Sequence, residues 1–111
     1  MKKDRIRDYA TAAFRDYAIQ RKNKNFASDS VRADFEAVQK TLNFFYIEGE
    51  LYIIAAVEAV YFAEAGLPVR RSSISARVSR FAIEQHADES TVYRWLKKAR
   101  CKFAEYRGLT L

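Results

Sequence analysis

Apolar positions recur at steps of three and four along most of the chain, the spacing that gathers side chains on one face of an α-helix. Ile6, Tyr9, Ala10, Ala13, Phe14, Tyr17 and Ala18 form such a stripe, with charged residues opposite, and predict an amphipathic helix from Lys3 to about Arg21. The segment 22–27, KNKNFA, has no period and carries two Asn, so it reads as the link to a second helix capped at Ser28 or Ser30. Asp29 and Asp34 suit the positive end of that helix, and Val31, Phe35, Val38, Leu42 and Phe45 line one of its sides. It should stop between Tyr46 and Gly49, because glycine takes the left-handed conformation that ends helices.

The stretch 50–65, ELYIIAAVEAVYFAEA, is apolar almost all round and is interrupted only by Glu58 and Glu64 after its opening Glu50. Such a segment is enclosed by others, and we read it as the central helix. Its Ile, Val and Tyr also fit a buried strand, but its Ala content and length favour helix. Gly66, Leu67 and Pro68 end it. After a basic turn at Val69, Arg70 and Arg71, Ser72 or Ser73 can cap a fourth helix with Ile74, Val78, Phe81, Ala82 and Gln85 on one face, a face that leaves Ile83 without a place. A break at His86 and Ala87 precedes Asp88, a suitable N-cap for a last helix that runs to Arg107 and ends at Gly108. The chain is therefore expected to be all-α, with about five helices, an N-terminal three-helix part packed on a C-terminal pair. No internal repeat or Pro-rich linker separates 1–66 from 67–111, so one continuous domain is expected.

At 111 residues, half of them apolar, the chain can bury a core without disulfides. One cysteine, Cys101, and one histidine, His86, exclude an internal disulfide and cannot supply the ligands of a protein zinc site. The opening MKKDRIRD lacks the apolar stretch of a signal peptide, and the uncharged run 51–57 is too short to cross a bilayer, which points to a cytoplasmic location with no membrane partner. Three glycines, one His and one Cys offer no recognisable nucleophile with its base, carboxylate pair in a pocket or phosphate-cradling loop, so neither an enzyme nor a cofactor is expected.

The net charge of +6 becomes informative once it is located. Residues 1–66 hold ten Lys/Arg and ten Asp/Glu, whereas residues 67–111 hold ten against four, so the whole excess lies in the basic part. Clustered cations gain free energy by displacing the counterions condensed on nucleic acid, although a solvated basic surface has the same composition. The last helix divides in the way a DNA reader must. Val92, Trp95, Leu96, Ala99, Phe103 and Tyr106 share one arc, while Ser90, Tyr93, Arg94, Lys97 and Cys101 face the other way with Lys98 at the edge. An amphipathic surface helix with solvated lysines would show the same spacing.

Phe81-Ala82, followed by Asp88, Val92, Ala99 and Phe103, resembles the pattern of region 4 of the sigma-70 family. In that family an apolar-Ala pair precedes a tight turn, with a Ser at the helix start and then Val, Ala and an apolar residue at steps of four, seven and four. The segments AVEAVYF (56–62), ISARVSRFA (74–82) and DESTVYRWLKKAR (88–100) are similar to small sigma-like or phage-type transcription regulators of Gram-positive bacteria. The region 4 resemblance covers roughly 72–107 and implies a helix-turn-helix that binds double-stranded DNA, with RNA polymerase as a further partner. His86 stands where the family often has Gly, and Gln85 where it usually has an apolar residue. No segment is similar to the part of a full sigma factor that melts the promoter −10 element.

Glu89, Ser90, Thr91, Tyr93, Arg94 and Lys97 are the candidate base-facing residues, since base contacts concentrate in the first turns of such a helix and an Arg can grip guanine bidentately. Arg70, Arg71, Arg80 and Lys98 are the candidates for phosphate; Arg77 can instead lay its stem over the core. Trp95 is expected to pack, His86 to be exposed, and the role of Cys101 is open. Phe44, Phe45 and Tyr46 exceed what one helix face buries, so either a broad core or a subunit contact, including a homodimer, must absorb them. The rival reading is a protein-interaction module that touches polymerase or another partner without reading DNA; RNA binding ranks lower, for want of aromatic strand motifs or a GXXG loop.

Overall fold

A computed structural model describes residues 5–63, 65 and 73–109, and these form five helices with no strand among them. The expected start at Lys3, the stop at Gly66 to Pro68, the Ser72 cap and the Arg70-Arg71 pair lie outside the described residues. Helix α1 spans Arg5–Asn23, α2 Asp29–Ile47, α3 Leu51–Val57 continued by a π-helical segment Glu58–Phe62, α4 Ser73–Glu84 and α5 Glu89–Arg107.

Ser28 is the N-cap of α2: its backbone is extended and its hydroxyl accepts from the Val31 N–H at 3.2 Å. Gly49, at φ +76°, closes the same helix, with the Glu50 N–H reaching the Phe45 carbonyl and the Gly49 N–H the Tyr46 carbonyl. That pair of bonds is a Schellman turn, and it satisfies carbonyls that the helix end would otherwise leave without a donor.

The ambiguity over 50–65 resolves as helix, but not as uniform α-helix. Within 58–62 the turn widens, and the Ala63 N–H bonds the Glu58 carbonyl five residues back at 3.1 Å. The Val60 carbonyl receives the Arg77 Nε at 2.8 Å, so a side chain of α4 supplies a donor to this part of the helix. Arg77 thus lies over the core, as its position on the sequence allowed.

One core runs through every helix. Ala10 and Phe14 of α1, Val38 and Phe45 of α2, Ile53, Ala56 and Val57 of α3, Val60 of the π segment, Val78 of α4, and Val92, Ala99 and Phe103 of α5 are all fully buried. Phe103 is wedged between rings, 5.7 Å from Phe14 and 6.2 Å from Tyr9, while Phe14 stacks on Tyr61 at 5.6 Å. The helix 51–62 touches α1, α2, α4 and α5, which makes it central, and α5 shares that role by touching α1, α2, α3 and α4.

Two expectations about faces need correction, and one open question is answered. Tyr106 is 43% exposed rather than part of the packed arc, and Ala104 is buried near that arc, because the end of α5 turns toward α2 through Arg107. Gln85 is exposed: it lies beyond the last residue of α4, where the chain is already turning away from the core. The aromatic cluster divides, with Phe45 fully buried, Phe44 half-buried at 5.2 Å from it and Tyr46 68% exposed. Ile83, which had no place, is solvent-exposed.

A polar clamp closes the far end of the bundle. Asp34 Oδ1 accepts from the Tyr9 hydroxyl and from Arg107 Nε, each at 2.7 Å, and Arg107 Nη2 donates to Ser30 Oγ at 3.2 Å. Burial first, then the Asp34 carboxylate, raises the Tyr9 phenol above its ordinary value. Three helices are thereby joined through one carboxylate.

Phe103→Ala should cost about 3–5 kcal/mol in urea unfolding, since it empties a site enclosed by rings. Ile83→Ala should stay within about 0.5 kcal/mol.

Candidate nucleic-acid interface

The pair α4 and α5 is joined by residues 85–88, and the turn is closed by backbone bonds. The Ala87 N–H reaches the Ala82 carbonyl at 2.9 Å and the His86 N–H reaches the Ile83 carbonyl at 3.2 Å, with His86 at φ +54°. This is again a Schellman turn, built here on a non-glycine residue. Ala82 is buried, so no bulky side chain holds the helices apart at the turn. Asp88 occupies the N-cap position of α5, but its side chain makes no capping bond; its carbonyl accepts from the Thr91 and Val92 N–H groups.

Helix α5 has two sides. Val92, Leu96, Ala99 and Phe103 are buried, and Trp95, half-buried, meets Tyr52 at 5.0 Å and Phe81 edge-on at 6.4 Å. On the other side Glu89, Ser90, Tyr93, Arg94 and Lys97 are exposed, with Thr91 half-buried among them. Ser90, Arg94, Lys97 and Cys101 follow at steps of four, three and four, so they lie along one line of the helix. Arg94 Nη2 donates to Thr91 Oγ1 at 3.1 Å, which steadies the guanidinium one turn from the helix start. Cys101 is a free, half-buried thiol.

The basic part is less uniformly cationic than its composition. Lys98 Nζ is 2.7 Å from Glu50 Oε2, Arg100 Nη1 donates to the Tyr61 hydroxyl at 2.8 Å, Lys102 pairs with Glu105 at 2.8 Å and lies 4.1 Å over the Phe44 ring, and Arg107 holds Asp34. Arg80 on α4 and Lys97 on α5 are exposed and bind no protein group among the described residues. Of the phosphate candidates, then, Arg80 is open to solvent, Lys98 is held by Glu50, and Arg70 and Arg71 lie outside the described residues.

The Glu50–Lys98 pair was not foreseen. Glu50 is the residue before α3, and its carboxylate also accepts from the Tyr52 hydroxyl at 2.8 Å. The hydrogen bond from Lys98, then that from Tyr52, lowers the Glu50 carboxyl below its ordinary value, and the same contact raises Lys98. No family model, curated protein or solved structure matches this chain.

Among the described residues, no group of three or more His, Cys, Asp or Glu is placed to hold a metal, and no helix is long and apolar enough to cross a membrane. Exposed apolar side chains cluster elsewhere in the sequence, at the α2–α3 corner, where Ile47 and Leu51 join Tyr46 in solvent.

Two outcomes follow from the turn and the pair. His86→Gly relieves the left-handed strain and should leave stability equal or raise it by up to about 1 kcal/mol, whereas the β-branched His86→Val should lose about 1–2 kcal/mol, both read by urea denaturation. A lowered Glu50 contributes stability above the unfolded glutamate range near about pH 4.3 and loses it as pH falls through its native value; a raised Lys98 loses its share only in strong alkali. The stability difference between the parent and Glu50→Gln should therefore be present at neutral pH and vanish in acid.

Proposed function

We propose that this chain is a sequence-specific DNA-binding protein, a cytoplasmic transcription regulator or sigma-like factor, in which α4 and α5 act as a helix-turn-helix. The observation that carries the reading is the orientation of α5: its apolar stripe is buried against the other helices, so Ser90, Arg94 and Lys97 stand outward on a rigid support. In the proposed complex α5 enters the major groove of duplex DNA. Glu89, Ser90, Thr91, Tyr93, Arg94 and Lys97 face base edges, the Lys97 ammonium also being suited to phosphate. Arg80 and Lys98, with Arg70 and Arg71 from the segment before α4, take the backbone. The resemblance to region 4 of the sigma-70 family supports this assignment, and a small sigma-like or phage-type regulator would also contact RNA polymerase.

The exposed Tyr46, Ile47 and Leu51 favour a second reading, a module that docks on polymerase, on another protein or on a second copy through this corner without reading DNA. The two are separated by salt. Duplexes selected from a random pool should bind with affinity that falls steeply between about 50 and 200 mM salt, by a logarithmic slope of roughly −0.9 per phosphate contact. Lys97→Ala should weaken all sequences and flatten that slope, while Arg94→Ala should cost about 1–3 kcal/mol at one base pair and relax preference there. Glu50→Gln, which releases Lys98, should tighten binding. If Arg94→Ala and Lys97→Ala fold and bind like the parent, this face does not read DNA; retention of a protein partner without salt-dependent DNA binding would favour the interaction module.

A further inference from the structure

We propose that the α2–α3 corner is the contact through which two copies of this chain form a two-fold dimer, with Tyr46, Ile47 and Leu51 at its centre. Ile47 is 71%, Tyr46 68% and Leu51 55% exposed, and all three lie within 46–51, around the turn at Gly49. Single exposed apolar residues are ordinary, but three large ones on one corner form a patch that gains free energy when it leaves water. The backbone beneath them is already ordered. The Glu50 N–H reaches the Phe45 carbonyl at 2.9 Å, the Gly49 N–H the Tyr46 carbonyl at 3.1 Å and the Ile53 N–H the Glu50 carbonyl at 3.1 Å, while Phe45 and Ile53 are fully buried on either side. Association at this corner therefore costs little further ordering of the chain.

The rim of the patch selects what meets it. Lys40 lies seven residues before Ile47, two turns back along the same line of α2, and Glu48 directly follows Ile47. Both are exposed, and neither makes an ion pair among the described residues. On the side toward α5 the charges are matched within the chain, Glu50 with Lys98 at 2.7 Å and Lys102 with Glu105 at 2.8 Å. The corner thus has no excess of either sign with which to attract a strongly acidic or strongly basic partner. It has one open cation and one open anion on a single helix beside an apolar centre, and that set is complementary to itself. In a two-fold contact the same surface serves both partners, and antiparallel α2 ends bring each Glu48 toward the Lys40 of the other copy. Three large side chains and their rim place the contact at the low end of specific interfaces, below about 1,200 Å² in total, so a dissociation constant on the order of 10 to 100 µM is expected.

The dimer rests on the exposed corner of the interaction reading and holds whether or not α5 reads DNA. Its test contains no DNA, so its failure leaves the DNA reading standing, and the reverse. Sedimentation equilibrium of the full chain from about 2 to 500 µM, in salt of about 150 mM that screens the net charge beyond roughly 8 Å, should show the mass rise from 12.9 kDa toward twice that value and no further. Ile47→Glu and Leu51→Ser should each keep the helical circular dichroism and remain monomeric. Lys40→Glu alone and Glu48→Lys alone should each associate roughly tenfold more weakly, because like charges then face one another twice. An equimolar mixture of these two variants should regain the parent's association, since each charge again meets its opposite; this readout stands even if Ile47→Glu or Leu51→Ser fails to fold. A chain that stays monomeric at 500 µM, species larger than a dimer, undiminished association of folded Ile47→Glu and Leu51→Ser, or no recovery in the mixture would overturn the assignment. So would a monomer that binds purified RNA polymerase through Ile47, which would give the corner to a different protein.

Discussion

The burial of one stripe of α5 is the constraint on which the rest of this structure depends. Val92, Leu96, Ala99 and Phe103 are buried against the other helices, and Phe103 meets two rings of α1, Tyr9 and Phe14. A helix held by that much apolar contact cannot rotate about its axis without exposing these side chains to water, at roughly 1.5–3 kcal/mol for each large one, a sizeable share of the stability of a small domain. The opposite face is outward for the same reason. Any function of Ser90, Arg94 and Lys97 is thus a consequence of packing rather than of those residues' own preferences.

Electrostatics binds the neutral and basic parts into one body. Glu50 and Asp34, both from the neutral part, meet Lys98 and Arg107 of α5. These contacts change what the net charge means. A composition that places +6 in the last 45 residues suggests a broad cationic face, yet four of the α5 cations are engaged by neighbouring acids, phenols or rings. The positive charge left to an external partner is concentrated on fewer side chains, Arg80, Arg94 and Lys97 among those described. A concentrated set of charges favours position and register over bulk affinity.

The turn between α4 and α5 illustrates how local strain is absorbed. His86 holds a left-handed conformation that glycine would take at less cost, and two backbone hydrogen bonds with the burial of Ala82 compensate for it. The π-helical widening at 58–62 is a comparable concession, accompanied by the bond from Arg77 to the Val60 carbonyl. Both irregularities lie beside α4, the element that positions the last helix from behind.

Local pattern along the chain was enough to determine the helices, their approximate limits, a cap at Ser28 or Ser30, the Gly49 and Gly108 stops and the two-sidedness of α5, because each follows from neighbours within four or five residues; the choice of Ser28 came from the structure. The exposure of Tyr106 and Gln85, the division of Phe44, Phe45 and Tyr46, and the widened turn at 58–62 were decided by tertiary contacts, which no local spacing encodes. The candidate surface on α5 was legible for the same local reason. The ion pairs across the seams were not: Glu50 and Asp34 look like ordinary solvated charges, and Lys98 and Arg107 like two more cations on α5, until the packing of the core brings α2 and α3 against α5. Sequence specifies which face of each helix is hydrophobic; which polar residues then meet across the seams depends on how all the faces close together, and only the three-dimensional arrangement fixes that.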